Sequence, residues 1–353
     1  MPNVTMLSWN IRNFGPGQVN GHNAPHLFNY IARTILSANA DIASIMEVAN
    51  SVSVQIATGI INSLNAMAPV VFPPVPSPWR FRGVNNGFNE AYLILFRVDR
   101  TFLPLNSTGG ITTGPNVVPD SGLTNQDIHG DNTVQFPRPG QRRGGRKPFY
   151  CAFRTNAMPQ KTFTVFAYHA MFGIYSGVGV ENFPKLDRID FLDNPPTNTV
   201  VDGCLIAGDF NVDYDPSPTW WYYDILTDLP STNATAEKTT LKTGGDGSSN
   251  PLAYRSMAYD NIFQKIPAGG VARAGTVIDL MVHSSVLLAP IPPLPAYVGT
   301  LSAAAGAFSV AHIPNKYAFD AVATVPTPNV QEAWAFVIEA ISNHYPVAVT
   351  TTF

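Results

Sequence analysis

Charge is scarce in this sequence. Only 13% of its 353 residues are Asp, Glu, Lys or Arg, and they balance to a formal −3. No global basic field gathers polyanions, so any contact with phosphate or nucleic acid has to come from local clusters or bound cations. Cysteine is nearly absent: Cys151 and Cys204 both lie in apolar runs, "FYCAF" and "GCLIAG", which suits buried, inert thiols better than a disulfide or a metal pair. No apolar run reaches the roughly 18 residues of a membrane span, and the nearest candidate, "SVLLAPIPPLPAYVG", is broken by Pro290, Pro292, Pro293 and Pro295. The opening "MPNVTMLSWNIRNFG" lacks the basic, apolar and cleavable segments of an export signal and reads as a first strand. The compartment therefore stays open: cytoplasm, or export as a mature chain or by a signal-independent route.

Apolar material is plentiful, at 45% of residues, and is enough for a large core in one domain spanning 1–353. Residues 4–10 alternate as a strand, 25–40 carry apolar side chains at helical spacing, "DIASIMEV" at 41–48 reads as a buried strand, and 51–67 as a helix ended by a proline-rich stretch at 69–78. Further strands are expected at "EAYLILFR" (90–97), "PFYCAFRTN", "KTFTVFAYHA", "VDGCLIAGDFN", "SMAYDNIFQ", "GTVIDLMVHSS" and "HYPVAVTTT", with helices near 180–193 and 329–341. Two long insertions, at about 104–147 and 285–330, exceed ordinary connections. Strands outnumber helices and helices interrupt them at intervals, a pattern of β-sheets sandwiched by helices, α+β in class.

Polar, metal-capable residues sit where the apolar runs end: Asn10 after "TMLSW", Glu47 after "DIASIM", His169 after "FTVFAY", Asp209 and Asn211 around "CLIAGDFN", and His344 before "YPVAV". Strand ends meet at one rim of a sheet, so this placement signals an enzyme. Asp209 and Asn211 are two apart and share a face in extended chain, where one can orient a nucleophile or cation and the other offer an amide to a phosphoryl oxygen. "GDFN" on its own is equally a turn. The segment "RPGQRRGGRK" packs Arg138, Arg142, Arg143, Arg146 and Lys147 into a flexible loop suited to phosphate backbones.

The ordered set "WNIRNFG" (9–15), "IMEV" (45–48), "NEAYLILFR" (89–97), "RKPF" (146–149), "YHA" (168–170), "GDFNVD" (208–213), "AYDNI" (258–262) and "AISNHYPVAV" (340–349) resembles the endonuclease/exonuclease/phosphatase superfamily, most closely its deoxyribonuclease I branch, and is also similar to the nuclease subunit of cytolethal distending toxin. The resemblance runs from first strand to last. It implies a four-layer fold of two packed mixed β-sheets flanked by helices, and metal-dependent hydrolysis of phosphodiesters, with DNA as substrate. It makes Glu47 a Mg²⁺ ligand supported by Asn10, with Asn343 on the metal side. Asp209 and Asn211 handle nucleophile and phosphate. His169 pairs with Glu90, and His344 with Asp260 or, by analogy to abasic-site endonucleases, with Asp279. Arg146 and Arg12 fall at basic positions beside the site.

The chemistry agrees with Mg²⁺, which takes one or two carboxylates plus water and substrate oxygen; Mn²⁺ or Ca²⁺ are alternatives, and zinc is disfavoured. Two departures stand out. Ala49 replaces an arginine that contacts DNA in the branch, and Asn343 stands where the family has Asp, so the chain is expected to hold metal less tightly. Three functions follow: a largely sequence-nonspecific DNA endonuclease, a phospholipid or inositol-phosphate hydrolase that touches a membrane surface through 285–297, or a catalytically impaired binding module. A monomer is expected.

Overall fold

The structure is a computed structural model that describes residues 2–20, 24–71, 78–85, 89–98, 100, 102–105, 149–155, 159–169, 202–211, 239–240, 258–266, 269–278, 342 and 344–353. The helices expected near 180–193 and 329–341, most of both insertions, and Arg146, Asp279 and Asn343 lie outside these residues.

Eleven strands among the described residues form two mixed sheets. The first sheet holds β1 (Asn3–Phe14), β2 (Ile42–Ala49), β3 (Trp79–Asn85), β4 (Glu90–Arg97), β10 (Thr276–Val277) and β11 (Val347–Thr352), in the order β10-β11-β1-β2-β4-β3. The second holds β5 (Phe102–Leu105), β6 (Phe149–Thr155), β7 (Thr162–His169), β8 (Gly203–Asp209) and β9 (Asp260–Lys265), in sequence order. β1 and β2 run parallel, as do β7 and β8. A short helix α1 (Pro16–Val19) follows β1. Helices α2 (Ala24–Ser37) and α3 (Ser53–Val71) pack on each other, and α3 lies on β2, β3 and β4. Their apolar stripes have the roughly 3.6-residue spacing of a helix resting on a sheet, and Leu27, Ile31, Ile35, Ile56, Ile60 and Leu64 are all buried.

The faces between the sheets share one core, to which β7 and β8 give Phe163, Val165, Ala167, Leu205 and Ala207, and every residue of both strands is buried. Such strands read as continuous hydrophobic runs because both of their faces are covered. At one end of the core an aromatic chain stitches the sheets together. Phe96 on β4 meets Phe153 on β6 edge-on with centroids 5.6 Å apart, Phe153 stacks on Phe163 of β7 at 5.6 Å, and Phe163 stacks on Phe353 at 4.6 Å. Burying each ring contributes roughly 1.5–3 kcal/mol, and each ring pair about 0.5–1.5 kcal/mol more. The strand ends away from these rings carry the polar residues.

Two strands escape the sequence pattern. β3, "WRFRGVN", is not among the expected strands although Trp79, Arg80, Phe81 and Arg82 alternate, and Arg82 is buried even so. β5 takes in Pro104 and Leu105, which the sequence assigns to the first insertion. It is an edge strand of its sheet, where a missing N–H does no harm. α3 also continues to Val71, past Pro69, instead of stopping at 67; a proline in a last turn removes one hydrogen bond without ending the helix.

Candidate active site

Each polar residue of the site is delivered by the end of a strand. In the second sheet, His169, Asp209 and Asp260 form one row across three neighbouring strands, because His169 pairs with Asp209 between β7 and β8, and Asp209 with Asp260 between β8 and β9. Gly208 is required for that row. A Cβ there would sit 1.9 Å from the Tyr168 carbonyl oxygen, so the strand turns through a space only glycine fits. In the first sheet the register slips between Asn10 and Phe14 in β1 and between Ile45 and Val48 in β2. These bulges put Arg12, Asn13 and Glu47 in the left-handed region, at φ 43°, 48° and 58°, and Asn211 joins them at 51°. Non-glycine residues held at such angles cost about 1–3 kcal/mol each and collect at functional sites.

That strain aims polar groups at a common centre. The Asn10 amide donates to Glu47 Oε1 and to Asp209 Oδ2, both at 2.9 Å, clamping two carboxylates from different sheets. The bulge returns two main-chain donors: Arg12 N–H to Asn10 Oδ1 at 2.9 Å, and Asn13 N–H to Glu47 Oε2 at 3.0 Å. Asn211 N–H donates to Asp209 Oδ1 at 2.9 Å. Asn10 thus presents its NH₂ to the acids, acting as a brace for Glu47 and Asp209.

Both imidazoles reach Asp209, and each Nε2 lies 3.7 Å from Asp209 Oδ2. His169 Nδ1 meets Glu90 Oε2 at 3.2 Å, and its Nε2 is 3.3 Å from Glu47 Oε1. His344 Nδ1 meets Asp260 Oδ2 at 2.7 Å. Asp260 is therefore the carboxylate on His344; Asp279, the other candidate, lies outside the described residues. A carboxylate on the far nitrogen fixes the tautomer and turns Nε2 into the site.

Burial pushes the Asp260 carboxyl up to about 6, against the pull of His344. Burial also works against a proton on His344, but the charges of Asp260 and Asp209 and the hydrogen bond that the ring donates to Asp260 outweigh it and raise the imidazole to about 9. At neutral pH the pair is a carboxylate and an imidazolium.

Several supports have no sequence signal. Thr239 donates its hydroxyl to Asp260 Oδ2 at 2.8 Å, accepts the Asp260 N–H at 2.9 Å, and takes the Tyr345 N–H on its carbonyl at 2.7 Å. It bolts acid and base together, yet in "EKTTLKTG" it looks like any surface threonine. Trp9 Nε1 donates to the His344 carbonyl at 2.9 Å. Ser342 Oγ donates to the Asn10 carbonyl and accepts the His344 N–H. The spacing of Trp9 and Ser342, each one residue from a site position, was the only hint.

Ligand atoms of Glu47, His169 and Asp209 lie within 4.8 Å of one another, and so do those of Asp209, Asp260 and His344. Carboxylate oxygens dominate the first group, and the Glu47 side chain is 14% exposed. This donor set fits a hard divalent cation such as Mg²⁺ or Mn²⁺.

No family model matches the chain, and no curated protein matches it. Solved structures do. An endonuclease/exonuclease/phosphatase family protein from Bacteroides thetaiotaomicron superposes with a TM-score of 0.52 at 14% identity, covering 100% of this chain and 98% of that one. A mannosyl-6-phosphatase from the same organism gives 0.52 at 15% identity, covering 99% and 100%. The chain thus has the endonuclease/exonuclease/phosphatase fold, the α/β sandwich that the sequence resemblance implies. No helix among the described residues is long and apolar enough to cross a membrane.

Proposed function

We propose that this chain is a metal-dependent phosphoester hydrolase that cleaves DNA phosphodiesters with little sequence preference. One observation carries the reading: Asp209 Oδ2 lies 3.7 Å from the Nε2 of both histidines, each of which has its own carboxylate. A reacting group between three such atoms meets proton acceptors on one side and a proton donor on the other.

Glu47, with Asn10 bracing its carboxylate, and Asn343, next to His344 in sequence, would hold a divalent cation, which would supply charge neutralisation at the phosphate. Asp209 orients the attacking water, whose oxygen bonds to phosphorus while its proton passes to the Asp209–His169 side. The His344 imidazolium gives its Nε2 proton to the departing oxygen as the P–O bond breaks, and Asp260 stabilises its charge until that moment. Proton transfer of this kind contributes about 10²–10⁴-fold. Arg12, in the strained bulge, and Arg146, in the basic segment, take the flanking phosphates, and Asn211 offers its amide to the scissile one.

A second substrate class has one specific support, since a protein of the same fold is a mannosyl-6-phosphatase. The test is therefore paired: nicking of supercoiled plasmid and release of phosphate from mannose 6-phosphate, each with Mg²⁺ and with chelator, for the chain and for His344→Ala. Mg²⁺-dependent nicking lost in His344→Ala supports the DNA reading. Phosphate release without nicking moves the substrate to sugar phosphates, and neither activity, even in Asn343→Asp, refutes hydrolysis and leaves a binding module.

A further inference from the structure

β4 sends two side chains across to the second sheet at the site end. Glu90 and Tyr92 are two residues apart in an extended strand and share a face. Both reach His169: Glu90 Oε2 meets the ring at Nδ1, 3.2 Å away, and the Tyr92 hydroxyl accepts the His169 main-chain N–H at 3.0 Å. Tyr92 is 0% exposed, so its hydroxyl touches no substrate. His169 also stands at the end of β7. There it pairs with Asp209 of β8.

We propose that Tyr92 is a positioning residue for His169: β4 grips this histidine at its ring and at its main chain, and both grips are needed to hold Nε2 between Glu47 and Asp209. The proposal rests on the hydrolase reading above. An imidazole tethered at Nδ1 alone pivots about that contact whenever its Cα moves, and a strand end opens more readily than a strand centre. Anchoring the N–H fixes the pivot. The distances it protects are 3.3 Å to Glu47 Oε1 and 3.7 Å to Asp209 Oδ2, and reacting groups displaced by about 1 Å lose up to about 100-fold in rate.

Tyr92→Phe keeps the ring and its packing and removes only the acceptor. With bis(4-nitrophenyl) phosphate and Mg²⁺, kcat falls about tenfold while KM shifts less than about twofold. In a His169→Ala background the same substitution has no further effect, because the ring it positions is gone. Equal losses in both backgrounds overturn the proposal and leave Tyr92 a core residue. Should the unaltered chain prove inactive on every phosphoester, the hydrolase reading fails and the positioning is read by NMR of the His169 imidazole. Its resonances then move in Tyr92→Phe on the scale seen in Glu90→Gln, and resonances that stay put overturn the proposal.

Discussion

Asp260→Asn separates charge from shape at the heart of the site. Asp260 is 0% exposed, its Oδ2 sits 2.7 Å from His344 Nδ1 and 2.8 Å from the Thr239 hydroxyl, and its Oδ1 has no hydrogen-bond partner among the described residues. Asparagine fills the same volume, so packing is preserved. If its oxygen keeps the two contacts, its NH₂ takes the Oδ1 position, buried without an acceptor, at a cost of about 1–3 kcal/mol in stability. If it flips, the NH₂ donates to His344 Nδ1 and forces the opposite tautomer. In either case a charged hydrogen bond, worth about 1.5–3 kcal/mol, becomes a neutral one of about 0.5–1.5. The difference is on the order of one pKa unit, which brings His344 down from about 9 towards neutrality. Loss of the imidazolium's support lowers kcat on the order of 10²-fold or more, with KM within about threefold because Asp260 touches no substrate. The assay is the pH profile of kcat on bis(4-nitrophenyl) phosphate beside an NMR titration of His344. A kcat within about threefold of the unaltered chain, together with an unmoved His344 titration, would refute the reasoning.

Three further outcomes are expected. Gly208→Ala forces a methyl to within 1.9 Å of the Tyr168 carbonyl, so β7 and β8 part where His169 meets Asp209; urea unfolding shows a loss of about 3 kcal/mol or more, and a loss below about 0.5 contradicts the close approach. With chelator present, stability falls as pH rises. His344 binds its proton more tightly folded, near 9, than unfolded, near 6.5, so its contribution is complete below about pH 6.5 and gone above about 9; Asp260, raised from 3.8 to about 6, acts in the same sense at lower pH. The His344 part is on the order of 3 kcal/mol, read as the urea midpoint against pH and absent from His344→Gln; identical slopes in the two chains would contradict it. On the proposed reading of position 343, Asn343→Asp supplies the metal with a carboxylate and raises Mg²⁺-dependent turnover about tenfold or more, whereas unchanged turnover shows that position 343 does not govern the metal.

The sequence reveals the site wherever a polar residue interrupts an apolar run. His169 ends "FTVFAY", Asp209 ends "CLIAG", and in both cases a strand end is also a rim of the sheet. Glu47 was legible as a residue, but its left-handed φ of 58° was not, because that angle comes from a bulge set by pairing with β1 and β4. Thr239 was invisible, since its meaning lies in a contact with Asp260, 21 residues away, and nothing local marks it. Tyr92 was hidden differently: in "EAYLILFR" it reads as one more core residue, and only the fold shows its hydroxyl on the opposite sheet. β3 follows directly on the proline-rich stretch and buries Arg82, which no local pattern signals.

The place of β11 bears on how such a molecule is made. It is the last strand in the chain, yet it lies between β1 and β10, with Asn3 opposite Thr352 and Ser8 opposite Val347. Until it arrives, β1 is an open edge and the residue preceding it by three, His344, is missing from the pocket. Docking of this one segment closes the first sheet and brings His344 to Asp260 and Asp209, so completion of the sheet and completion of the site are a single folding event.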